Sequence, residues 1–122
     1  MAERKRLIGN SDQIVERGKG LRFTLETSDG ESLPAFAVRF RGRVFAYLNR
    51  CAHVSVELDW AEGEFFDYSG LYLVCATHGA AYYPDNGRCA IGPCKGGRLQ
   101  PLEVIETDGE IYLIEKEELK DV

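Results

Sequence analysis

The chain has 122 residues, 44% of them hydrophobic, and a formal net charge of −5, which suits one domain with a modest core. No run approaches the roughly 18 apolar residues of a membrane span, and no apolar signal segment follows the charged start, so we expect a cytoplasmic protein that does not bind a membrane. The acidic balance argues against a nucleic-acid partner.

Short β segments separated by turn residues run through the chain. Apolar alternation and short apolar runs predict strands at residues 21–27, 35–40, 44–48, 65–66, 71–75, 80–83, 102–106 and 111–114. The turns between them include Asp29-Gly30, Arg41-Gly42-Arg43, Pro84-Asp85-Asn86-Gly87 and Asp108-Gly109. This spacing of strands and turns predicts an all-β fold, a small antiparallel sandwich or barrel.

The signals near the chain ends are weaker. Residues 11–17 and 115–120 each fit a turn or two of helix but carry no long apolar stripe. The basic cluster Arg4-Lys5-Arg6 is interpreted as a frayed tail. We predict a single domain over residues 1–122, with a basal β layer at about 1–48 and 99–122 and a Cys/His-bearing segment at about 49–98 inserted between its hairpins.

Two short loops each present one cysteine and one histidine. Cys51 and His53 follow one predicted strand, and Cys75 and His78 follow another. These are the only two histidines of the chain, and both lie two or three residues after a cysteine. A sheet fixes the base of such loops, while their irregular backbone can turn side chains toward a metal. Gly79 after His78 permits the tight return that the second loop needs.

Three explanations of this pattern are open. Zinc sites usually take their ligands as Cys-x2–4-Cys and His-x3–5-His pairs, whereas each loop here mixes one Cys with one His. In a Rieske-type 2Fe-2S centre two Cys bind one iron and two His the other, so each loop would give one ligand to each iron. We favour this centre over a zinc site and over core cysteines with incidental histidines.

Residues 51–99 resemble the cluster-binding subdomain of Rieske proteins, in particular the stand-alone bacterial Rieske ferredoxins. The similarity runs through CAH, CATHGAAYYPDNGRC and GPCKGGRLQPL. The resemblance implies the Rieske fold and one 2Fe-2S cluster, bound by Cys51, His53, Cys75 and His78. It also implies a proline loop, Gly92-Pro93-Cys94, that packs near the cluster.

The resemblance further implies a one-electron carrier between a reductase and an oxygenase or similar acceptor, as in ring-hydroxylating dioxygenase systems. The alternatives are a small Rieske subunit of a larger reductase, such as nitrite reductase, and a zinc-stabilised β binding module. Rieske oxygenases also need a mononuclear iron, held by two His and a carboxylate, and no histidine remains here beyond His53 and His78. We therefore expect no catalytic residue and no small-molecule substrate.

The segment between the two loops departs from the family pattern. Residues 54–74 separate His53 from Cys75, several more than is usual in the ferredoxins that the chain resembles. This insertion carries Trp60 and the acidic positions Glu57, Asp59, Glu62, Glu64 and Asp67. We expect a longer hairpin beside the cluster, most simply a solvated loop with Trp60 in the subdomain core. A docking role for the acidic residues is the alternative.

Three positions separate the chain from the respiratory Rieske subunits, and a fourth, Tyr82, agrees with them. Val56 and Thr77 match the positions of the disulfide that joins the two ligand loops there, so that disulfide is absent here. Ala80 matches a hydroxyl residue that donates to a bridging sulfide, whereas Tyr82 matches the tyrosine that reaches a ligand sulfur. Because hydrogen bonds to cluster sulfurs favour the reduced state, losing one donor predicts a midpoint potential of roughly −150 to +50 mV.

The other two cysteines, Cys89 and Cys94, are not ligands in this interpretation. We expect them to be buried as small apolar side chains. A disulfide between them is the first alternative, and it needs Cα atoms within about 7 Å and an oxidising setting. A ligand role in a differently assigned site is the second.

Overall fold

The computed structural model describes residues 3–26, 30–51, 57–59, 61–77, 79–94 and 96–116. His53, Trp60, His78 and Lys95 lie outside the described residues. Within these ranges the strands are β1 (Glu3–Asn10), β2 (Leu21–Glu26), β3 (Ser32–Phe40), β4 (Arg43–Leu48), β5 (Leu73–Val74), β6 (Ala81–Tyr82), β7 (Cys89–Ile91), β8 (Pro101–Leu102), β9 (Val104–Thr107) and β10 (Glu110–Lys116). A 3-10 turn covers Ser11–Gln13.

The strands form three antiparallel sheets, so the all-β prediction is confirmed. One sheet has the order β1-β10-β9, the second β2-β3-β4-β8, and the third β5-β6-β7. The third sheet comes between β4 and β8 in the chain, and its strands have only two or three residues each. The Cys/His motifs therefore lie on a small sheet with short strands, while the chain on either side forms the longer ladders.

Strand β3 is buried on both faces, which explains its continuous apolar run. Phe36 and Val38 lie in one core cluster, together with the cysteines of the ligand motifs. Ala37, which points to the opposite face of the strand, lies in a second cluster with Ile111 of β10. The strand thus separates the core beneath the Cys/His loops from the core between the two larger sheets.

Aromatic contacts join the second sheet to the Cys/His segment. The rings of Phe36 and Phe65 stack with centroids 4.0 Å apart. The hydroxyl of Tyr47 on β4 donates to the Pro84 carbonyl at 2.7 Å, and burial raises the pKa of that phenol. This buried contact anchors the predicted turn at residues 84–87 on the second sheet.

Most predicted strands and turns are confirmed. The tight turn between β3 and β4 places Arg41 and Gly42 at φ values of 55° and 79°, and the turn before β10 places Asp108 and Gly109 at 53° and 78°. Such positive φ values are those of type I′ hairpins. Phe66 forms only an isolated antiparallel bridge with Leu73, so the predicted strand at residues 65–66 is one rung of a short hairpin.

The prediction of a frayed tail at Arg4-Lys5-Arg6 is wrong. These residues belong to β1, where Arg4 pairs with Glu115 and Lys5 with Ile114. The Lys5 ammonium lies 5.4 Å from the centre of the Tyr112 ring, and Arg6 is 3.6 Å from the Glu115 carboxylate. The strand forms because its partner comes from the far end of the chain, which local composition does not reveal.

The weak helix signals correspond to little helix. Residues 11–17 contain only the 3-10 turn, and residues 115–116 belong to β10. Residues 117–120 of the second prediction lie outside the described residues. In the part of the chain that the structure describes, no helix has the length and apolar character to cross a membrane.

Candidate metal centre

Cys51 and Cys75 lie at the ends of two strands that reach the same core. Cys51 follows β4 by three residues and is 2% exposed, and Cys75 follows β5 directly and is fully buried. Both belong to the core cluster that also contains Leu58, Ala80 and Tyr82. The fold therefore brings the two predicted cysteine ligands into one apolar region, although 24 positions separate them in the sequence.

The second loop reverses within five residues of Cys75. The Cys75 amide donates to the Ala80 carbonyl at 2.8 Å, and the Gly79 amide donates to the Cys75 carbonyl at 2.9 Å. Gly79 has a φ of 75°, a value that glycine adopts without the steric cost of a Cβ. The prediction that Gly79 permits a tight return is confirmed.

A tyrosine hydroxyl lies against one of the cysteine sulfurs. The Tyr82 hydroxyl is 3.1 Å from the Cys51 Sγ, and both residues are buried. A thiolate in an apolar core requires a donor, and a buried phenol requires a partner, so the contact satisfies both groups. Ala80, also fully buried, offers no side-chain donor. Two buried cysteines with one hydroxyl donor fit the thiolate half of a 2Fe-2S site.

The third loop, which contains the predicted proline loop Gly92-Pro93-Cys94, carries a disulfide. The expectation of two buried thiols was therefore wrong. Cys89 and Cys94 are bonded to each other, with Cα atoms 5.5 Å apart. Gly92, between them, has a φ of 97° and packs against the second loop. A Cβ on it would lie 3.2 Å from the Ala80 Cα. The loop turns back on itself at this glycine, which brings the two cysteines within bonding distance. Gly92 thereby places the predicted proline loop directly on the second ligand loop.

The acidic insertion is attached to the second sheet rather than being simply solvated. Arg22 of β2 is within 3.4 Å of carboxylate oxygens of Glu57, Asp59 and Glu62. The Asp59 side chain is fully buried, whereas the side chains of Glu57 and Glu62 are 46% and 77% exposed. The simple solvated-loop interpretation therefore fails at Asp59. Sequence reasoning missed Arg22 because nothing local distinguishes it from other strand arginines.

The histidine half of the predicted site, His53 and His78, lies outside the described residues. Among the residues that are described, no three Cys, His, Asp or Glu side chains converge as a metal site. The described part of the site is the cysteine pair, the Tyr82 hydroxyl and the described residues of the second and third loops.

Comparison with known families decides what kind of site this is. The model of the Rieske [2Fe-2S] domain family matches residues 7–115. The chain belongs to the Rieske family. Membership implies one Rieske-type 2Fe-2S cluster, and the buried cysteine pair fits that cofactor. No curated protein matches the sequence of this Rieske domain.

Solved structures share its fold. The ferredoxin of carbazole 1,9a-dioxygenase from Nocardioides aromaticivorans IC177 is 22% identical, with a TM-score of 0.70 over 92% of this chain and 98% of the other. The Sphingomonas yanoikuyae B1 ferredoxin is 17% identical, with a TM-score of 0.69 over 93% of this chain and 100% of the other. Apo dicamba monooxygenase is 22% identical, with a TM-score of 0.67, but only 32% of that chain is covered.

Proposed function

We propose that this Rieske protein is a one-electron carrier, which accepts an electron from a reductase and passes it to an oxygenase or similar acceptor. The observation that supports this most is the buried pair of Cys51 and Cys75 with the Tyr82 hydroxyl on the Cys51 sulfur. The similar fold of a ferredoxin that was solved in complex with its oxygenase, in carbazole 1,9a-dioxygenase, agrees with the proposal.

The proposed ligands are Cys51 and Cys75 for one iron and His53 and His78 for the other. In this proposal residues 49–98 are the cluster-binding subdomain, and residues 1–48 and 99–122 form the basal β layer. The cluster supplies the one-electron chemistry when it is bound. No residue of the chain is assigned a catalytic role, and no small-molecule substrate is expected.

The surrounding residues have separate tasks in this proposal. Tyr82 donates to the Cys51 sulfur and so favours the reduced state. Leu58 and Ala80, both fully buried, exclude water from the sulfur side. Gly92 and Pro93 cover the second loop. The Gly92 backbone lies so close to the Ala80 backbone that a Cβ on Gly92 would be 3.2 Å from the Ala80 Cα. The acidic protein would work with protein partners only, since its charge disfavours nucleic acid.

The test is electron paramagnetic resonance of the reduced, iron-replete protein during a redox titration. We expect the spectrum of mixed His/Cys ligation, with a midpoint of roughly −150 to +50 mV. Cys75→Ser should abolish the spectrum. A colourless protein that holds only zinc would overturn the proposal and support a zinc-stabilised binding module.

A second measurement tests the partner. The reduced protein should support oxygenase turnover in a system with a reductase and a Rieske oxygenase from which the native ferredoxin is omitted. Purification from its source at fixed stoichiometry with a large reductase would instead make the chain a subunit of that enzyme.

A further inference from the structure

A buried asparagine connects the first ligand loop to the inserted segment. Asn49 is only 1% exposed and lies two residues before Cys51. Its backbone amide donates to the Pro34 carbonyl of β3 at 2.8 Å. Its side-chain Oδ1 accepts from the Leu58 amide at 2.8 Å. Asn49 is therefore fixed to the second sheet through its backbone and to the insertion through its side chain.

Leu58 continues the connection to the second ligand loop. Its carbonyl accepts from the amide of Ala76 at 3.1 Å, and Ala76 directly follows Cys75. The Leu58 side chain is fully buried in the core cluster that contains both cysteines. Leu58 is thus hydrogen-bonded to both ligand loops. Its amide binds Asn49, near Cys51, and its carbonyl binds Ala76, next to Cys75.

Asp59 and the Leu58 amide together orient the Asn49 side chain. Its Oδ1 accepts from the Asn49 Nδ2 at 3.0 Å, and its Oδ2 accepts from the Gly63 amide at 2.9 Å. Because a carboxylate offers only acceptors, the amide must turn its NH2 group toward Asp59 and its oxygen toward Leu58. The Leu58 amide, which can only donate, favours the same orientation. Reversal of the Asn49 amide would place two donors against each other at Leu58 and two acceptors against each other at Asp59.

We propose that Asp59 is a positioning residue for the cluster, acting through a set of contacts that we call the loop bridge: Asn49, Leu58, Asp59 and Ala76. The loop bridge holds the two ligand loops in register without the disulfide of the respiratory subunits, whose positions here are Val56 and Thr77. The inference rests on the proposal that Cys51 and Cys75 are ligands. Groups around metal ligands orient them and tune the metal, and a buried polar network contributes most when every member is satisfied.

The test exchanges the hydrogen-bonding roles of Asn49 and Asp59. In Asp59→Asn, the new side chain has one acceptor but faces two donors, the Asn49 side-chain amide and the Gly63 backbone amide. Its own NH2 group must therefore face one of these donors. We expect iron release to a chelator to accelerate by about tenfold or more, together with altered g values of the reduced cluster. The melting temperature, measured alongside, separates general destabilisation from a change at the cluster.

The double variant Asn49→Asp/Asp59→Asn restores the complementarity. A carboxylate at position 49 accepts from the Leu58 amide and from the new amide at position 59, whose oxygen accepts from Gly63. We expect the g values and the release rate to return toward those of the wild type. Both variants lose the 3.4 Å ion pair between Arg22 and Asp59, so recovery isolates the hydrogen bonds.

Glu62→Gln is the matched control, because Glu62 contacts the same arginine at 3.2 Å from a largely exposed position outside the loop bridge. It should behave like the wild type. Wild-type release and g values in Asp59→Asn, or a double variant no better than the single one, would overturn the inference. If Asp59→Asn does not fold, the release rate and g values of the double variant are compared with those of the wild type instead. A wild type without a mixed His/Cys spectrum would instead overturn the proposed function.

Discussion

The two larger sheets and the Cys/His segment are stabilised in different ways. In the larger sheets, β3 runs for nine residues and pairs along its length with β2 and β4, so backbone ladders dominate. In the Cys/His segment the strands have two or three residues. There the loops depend on a disulfide, on the close packing of Gly92 against Ala80, and on the loop bridge. Long ladders tolerate surface changes, whereas short loops depend on individual side chains.

Their polar contacts differ in the same sense. Arg39 on β3 binds Glu106 at 2.6 Å, with the two side chains 17% and 28% exposed. The Asp59 side chain and the Asn49 residue are buried almost completely. A partly exposed ion pair contributes little to stability, while a buried polar group is costly once its partner is removed. We therefore expect single substitutions to matter more in the Cys/His segment than in the larger sheets.

The largest effect on stability is expected at the third loop. Cys89→Ala/Cys94→Ala removes the cross-link and should lower the free energy of unfolding by about 2 kcal/mol for a loop of this size. Thermal unfolding of the cluster-loaded protein measures the effect. A reducing agent should lower the melting temperature of the wild type but not of the double variant. Equal melting temperatures of the two proteins would show that the cross-link does not stabilise the loop.

A smaller effect is expected at the sulfur contact. Tyr82→Phe removes the hydroxyl that lies 3.1 Å from the Cys51 Sγ. The midpoint potential should fall by roughly 50 mV, equivalent to about 1 kcal/mol for one electron, because the reduced state loses a donor. Redox titration measures it. Tyr83→Phe, on the exposed neighbouring residue, should leave the potential unchanged. An unchanged potential in Tyr82→Phe would contradict the role of this hydroxyl.

The smallest effect is expected in the larger sheets. The hydrogen bonds from Arg39 lower the pKa of Glu106 below its ordinary value of 4.5. A lowered pKa in the folded state adds stability above pH 4.5, and this is lost as the pH falls through the folded value. Glu106→Gln should therefore reduce stability at neutral pH by less than about 1 kcal/mol and flatten the loss in acid.

Chemical denaturation between neutral pH and pH 3 would measure how much of the unfolding free energy is lost as the pH falls. Glu64→Gln, on an exposed residue of the insertion, is the control and should keep the wild-type pH dependence. If stability falls as steeply in acid for Glu106→Gln as for the wild type, other carboxylates cause the pH dependence.

Local patterns in the sequence were sufficient for several features. The strands from β2 to β4 follow from apolar runs, and the turns at Gly42 and Gly109 follow from their residues, because both signals depend on neighbours within a few positions. The paired Cys/His motifs indicated the Rieske family for the same reason, since each ligand loop is only three or four residues long. Tyr82 was placed on a sulfur by resemblance alone, and the contact to Cys51 confirms it.

Only the tertiary structure decided the features that join distant residues. The strand β1 exists because β10 pairs with it, and the disulfide exists because Gly92 turns the third loop back on itself. Asp59 reads in the sequence as one of five acidic residues of a solvated loop, yet it is buried between Asn49 and Arg22. Burial and long-range pairing are properties of the folded chain, and a carboxylate carries no local mark of the partners it will meet.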